Sequence, residues 1–122
     1  MHNLDFVCVK IAQEIVSSSG DEKKKLENNL RKALGVLQED GVYAMFLWLE
    51  DKDKTVREKL TGLLNEPEIR RYLLNDSARF SRDFAAFCRN LAEVAKDIDK
   101  LLFMKRIIER ILIYALYHSK IG

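Results

Sequence analysis

Few side chains in this sequence are equipped for chemistry. The two histidines, His2 and His118, stand at opposite ends of the chain. No His-x-x-x-His or Cys-x-x-Cys spacing puts two metal ligands on one helical turn. No glycine-rich loop precedes a helix to cradle a phosphate. Cys88 and His118 are the one pairing that would supply a nucleophile and its base, but a surface histidine near a chain end accounts for His118 more simply. Glu39, Asp40, Glu50, Asp51 and Asp53 gather around one apolar segment. Helix caps and solvated turns account for them more simply than a metal site does. A non-enzymatic protein without catalytic residues, metal or cofactor is expected.

The cations carry the positive signal. A regular apolar pattern begins at Ser77, with Phe80, Phe84, Phe87, Cys88, Leu91, Val94, Ala95 and Ile98 at helical spacing. On one continuous helix, stepping about 100° per residue, Arg82, Arg89, Lys96 and Lys100 fall within roughly 20° of the line opposite Phe80. Such a row would run about 27 Å along the solvent side. Lysine and arginine in a row suit a phosphate backbone. Arg79 lies beside the row, and Arg70 and Arg71 would extend it. Asp83, Glu93 and Asp97 flank it, so an ordinary solvated face is the competing account.

The elements that must position these groups are helical. The chain has 122 residues, enough for one domain, 1–122, around one core. One proline and five glycines are too few for many tight turns. The first helix is expected from Asn3 or Asp5 to "SSSG", and the second from an Asp21 cap to Gly41. Glycine suits that end because it takes positive φ cheaply. "DKDKTVREKLTGLLNE" reads as a helix with Val56, Leu60, Leu63 and Leu64 inward. Asn65 is expected to cap the next helix and Pro67 to open it, before a turn at Asn75, Asp76 and Ser77. The apolar frame slips near Leu102, so a break is expected between Asp97 and Leu101. A last helix then buries Met104, Ile107, Ile108, Ile111, Leu112 and Ala115. The fold class is all-α, a compact bundle of five to seven helices.

One segment breaks the amphipathic rule. Val42 to Leu49, "VYAMFLWL", has no polar face. Ala44, Met45 and Leu47 favour helix, and a helix apolar all round must be covered all round. It is therefore the central element or partly an interface. Val42, Phe46 and Trp48 are the interface candidates here, with Tyr114 and Tyr117 on the last helix. Cys8 and Cys88 lie among apolar neighbours and read as buried thiols. There are 21 basic and 19 acidic residues, net +2. That leaves room for a local basic face and excludes a strongly basic tail. The N-terminus does not read as a signal peptide, and no apolar run approaches the length of a membrane span. An intracellular, cytoplasmic, soluble protein is expected.

Leu26 to Lys54, "LENNLRKALGVLQEDGVYAMFLWLEDKDK", resembles the middle of the small helical subunit of Cmr-type (type III-B) CRISPR effector complexes. The shared features are an amphipathic helix, Gly41, an apolar helix holding Ala44 and Phe46, and the charged turn. The chain length and the apolar and basic final helix also suit that family. The family's proline ahead of the segment is missing, and Asp40-Gly41-Val42 replaces its usual Asn-Gly-Leu. The resemblance implies a non-catalytic structural subunit that takes part in antiviral defence. Several copies would stack along a complex with other effector subunits and guide RNA. Their basic surfaces would hold the target RNA backbone. The alternative is a helical protein-interaction or oligomerisation module with no nucleic-acid role, self-associating through Val42–Leu49 or the last helix.

Overall fold

The computed structural model describes residues 3–74 and 78–121. They form seven helices with no strand among them: α1 (Leu4–Ser17), α2 (Lys23–Asp40), α3 (Val42–Lys52), α4 (Lys54–Leu64), α5 (Pro67–Leu73), α6 (Phe84–Val94) and α7 (Ile98–Ile121). The protein is an all-α bundle, as its composition and periodicity require. His2 and the Asn75-Asp76-Ser77 turn lie outside the described residues.

Local chemistry sets most boundaries. The Asn3 side chain accepts hydrogen bonds from the backbone N–H groups of Asp5 and Phe6, at 3.0 and 3.2 Å, and starts α1. Gly41 joins α2 to α3 at φ +97° and ψ −177°, a region that side-chain-bearing residues avoid. Its N–H closes α2 on Leu37 O, while its carbonyl accepts the first α3 bond from Met45 N. One residue thus ends one helix and starts the next. Pro67 opens α5, where a missing N–H costs nothing. Asp21 does not cap α2: Glu22 holds that position and makes no side-chain cap.

α3 is the centre of the bundle. It lies against α2, α4, α6 and α7, which covers most of its apolar surface and leaves Tyr43 and Leu47 exposed. Val42, Met45, Phe46 and Leu49 are buried, and Phe46 meets Phe87 of α6 edge to face at 4.8 Å. The long α7 closes the bundle against α1 and α2. All six of its expected inward residues are buried. No helix among the described residues is long and apolar enough to cross a membrane.

The helix expected from Ser77 is different. Its start lies outside the described residues, and residues 78–83 are not helical. Phe80 is nevertheless buried, because the Asn65 side chain replaces the helical bonds of its backbone. Phe80 N donates to Asn65 Oδ1 at 2.8 Å, and Asn65 Nδ2 donates to Phe80 O at 2.9 Å. Asn65 is thereby occupied and does not cap α5. Asp83 then caps α6 by accepting from Ala86 N at 3.0 Å. The break between α6 and α7 falls at Ala95–Asp97, slightly earlier than the slipped frame implies. It resets the register, so Ala95 and Ile98 face solvent instead of the core.

Candidate nucleic-acid interface

The single row of cations is not present as such. Of its four members only Arg89 lies on α6. Arg82 belongs to the segment before α6, Lys96 to the turn after it, and Lys100 to the first turns of α7. An α6 of 11 residues is about 16 Å long, too short for the row. Lys96 is also engaged with Glu93 at 3.2 Å on the surface.

In place of the row, the fold presents a pinned basic segment. The non-helical residues 78–83 are tied down by four side chains, those of Arg57, Asn65, Arg70 and Asn90. Besides the Asn65 clamp, Arg70 of α5 donates to Ala78 O at 3.3 Å. Asn90 of α6 accepts from Ser81 N at 2.9 Å, and Arg57 of α4 donates to Arg82 O at 3.2 Å. Phe80 points into the core, while Arg79 and Arg82 are exposed on either side of it. A segment already held by backbone bonds leaves only the arginine side chains to be ordered on binding.

Arg57 is the keystone of this arrangement, and its signal in the sequence is its place three and seven residues before Leu60 and Leu64, at the edge of the apolar stripe. It is 4% exposed. Its Nε donates to Glu50 at 2.9 Å, and its guanidinium carbon lies 5.3 Å from the Phe84 ring centre and 5.6 Å from that of Phe87. A buried cation needs such a carboxylate and hydrogen-bonded setting.

α5 carries the second part of the surface. Ile69 and Leu73 are buried, and Arg71 and Tyr72 face solvent. The Tyr72 ring stands edge to face with Phe103 of α7 at 5.1 Å and 80°. The Lys100 ammonium lies 5.9 Å from its centre. Lys100 on α7 therefore stands beside Tyr72, which follows Arg70 and Arg71 in the chain. Tyr72 was not singled out in the sequence. Its signal is positional: an aromatic directly after Arg70 and Arg71 that falls outside the Ile69–Leu73 apolar stripe.

The interface candidates divide. Val42 and Phe46 are core residues and cannot meet a partner. The face of α3 that reaches solvent is Tyr43 and Leu47, 49% and 47% exposed, one turn apart. Trp48 is half-buried against the core. Tyr114 is half-buried and donates to Asp5 Oδ1 at 2.6 Å, and that bond holds its phenol above the ordinary value. Tyr117 is exposed. Val9, Tyr114, Tyr117, His118 and Ile121 line a shallow groove of about 170 Å³ between α1 and α7.

Several of the remaining chemical candidates have structural partners. Cys8 is buried in α1, and burial pushes its thiol up against the pull of the Arg110 charge. Cys88 is only half-buried, and its sulfur holds the phenol of the neighbouring Tyr43 above the ordinary value. His118 sits apart in the α1–α7 groove. In the acidic group, Asp53 caps α4 at Val56 N and accepts from Asn29, while Glu50 pairs with Arg57 and Lys54. Among the described residues no three potential metal ligands come together. Compared with known proteins, the chain matches no family model, no curated protein and no solved structure.

Proposed function

We propose that this chain is a non-catalytic, cytoplasmic subunit of an RNA-guided effector of the type III-B CRISPR kind, which holds an RNA backbone on a basic edge. The observation that carries the proposal is the pinned segment 78–83, with Arg79 and Arg82 exposed on a backbone fixed from α4, α5 and α6. Arginine forks match phosphate geometry, and phosphate contacts fix position without reading sequence. Arg71 is exposed on α5, which Arg70 ties to the segment, and Lys100 stands half-buried beside Tyr72 of the same helix. Sequence recognition would belong to base pairing with the guide RNA, and cleavage to other subunits. The resemblance of Leu26 to Lys54 to the small subunit supplies the assembly.

The alternative is an interaction module without a nucleic-acid role. The exposed Tyr43 and Leu47 on α3, and Tyr117 and Ile121 on α7, favour it. Purification of the tagged protein from its native host at low salt, with mass spectrometry and sequencing of bound RNA, separates the two. Other effector subunits together with repeat-derived guide RNA are the expected result. Recovery of the protein alone, or of unrelated partners without RNA, overturns the proposal and leaves the interaction module.

A further inference from the structure

We infer that Tyr72 is a stacking platform for one unpaired base, so that the basic edge prefers single-stranded RNA to duplex. The inference rests on the RNA-binding proposal and adds to it a preference for strand state. Tyr72 is 45% exposed although it belongs to a short helix that buries its apolar neighbours Ile69 and Leu73. Phe103 of α7 meets its ring edge to face at 80° and 5.1 Å and so favours one orientation. A cation stands over it, Lys100 Nζ at 5.9 Å, and Arg71 adjoins it in the chain. Arg70 ties the same helix to the segment that carries Arg79 and Arg82. Glu68 stands one turn before Tyr72, and Arg70 and Arg71 outnumber it.

This is the combination that non-specific single-strand sites use. Cations follow the backbone and an oriented aromatic receives a base face, a contact that is tolerant of sequence because every base has a π-face. Bases stacked within a duplex do not present that face. A base that takes this face displaces the Lys100 ammonium from it, and the displaced cation is then close enough to neutralise the phosphate of the stacked nucleotide.

The test is fluorescence anisotropy of the full chain with a short labelled oligoadenylate, free and annealed to its complement, over a series of salt concentrations. The wild type should bind the single strand more tightly than the duplex. Tyr72→Ala should weaken single-strand binding by about tenfold, leave duplex binding and the salt slope unchanged, and keep the wild-type circular dichroism melt. Tyr72→Trp should restore single-strand binding. Equal single-strand affinity in wild type and Tyr72→Ala overturns this inference while leaving the phosphate contacts standing. Absence of binding to either RNA by the wild type overturns both.

Discussion

Arg57 is the residue on which the fold and the proposed site most directly meet. Its charge is buried, so its removal both strips α4 of a partner for Glu50 and frees the Arg82 carbonyl. Glu50 keeps some access to water, so the penalty falls below that of a fully buried broken pair. Arg57→Ala is expected to lower the unfolding free energy by about 2–3 kcal/mol in urea titrations. Arg57→Lys should recover only part, since an ammonium cannot span the carboxylate and the carbonyl as a guanidinium does. The two cysteines make a second residue-scale contrast. Cys8 is buried with its thiol pushed up, and Cys88 is partly open. The thiolate is the reactive form. Iodoacetamide on the native protein should therefore modify Cys88 first and Cys8 only as the bundle opens. Equal rates would contradict the packing of α1.

At the scale of elements, α3 and the segment 78–83 carry opposite demands. Phe46→Ala in the all-covered face of α3 should cost about 3–5 kcal/mol. Leu47→Ser, on the face that reaches solvent, should leave the melt nearly unchanged. Asn65→Ala removes both bonds to Phe80 and should cost about 1–3 kcal/mol. It should also speed tryptic cleavage after Arg79 and Arg82, read by mass spectrometry, because an unpinned segment enters the protease more readily. These elements differ in how far they were legible in sequence. The identity of α3, the Gly41 junction and the buried stripe of α7 follow from local pattern. The segment 78–83 does not: Phe80, Phe84 and Phe87 keep helical spacing, and what defeats the helix is Asn65, distant in sequence, which bonds the Phe80 backbone. That long-range contact takes Arg82 off the helix, and the break at Ala95–Asp97 takes off Lys96 and Lys100, so no single rod carries the row. Arg57 and Tyr72 left only positional signals, one buried against expectation and the other positioned from α7.

For the whole molecule, charge is nearly balanced, with net +2. Any hold on RNA must therefore come from where the cations stand and not from their number. Arg71, Arg79 and Arg82 project from α5 and the pinned segment, and their side chains are exposed, so their reversal should leave the bundle intact. The most direct test is a salt titration of the chain's affinity for a short single-stranded RNA, comparing wild type with the triple variant Arg71→Glu, Arg79→Glu, Arg82→Glu. Each phosphate contact on a single strand contributes about 0.7 to the slope of log affinity against log salt, so loss of three contacts predicts a slope shallower by about 2. The predicted result is that loss of slope, weaker binding at low salt and an unchanged thermal melt. RNA affinity that is unaltered by the reversal, or independent of salt in the wild type, would contradict the assignment of this edge as a nucleic-acid surface.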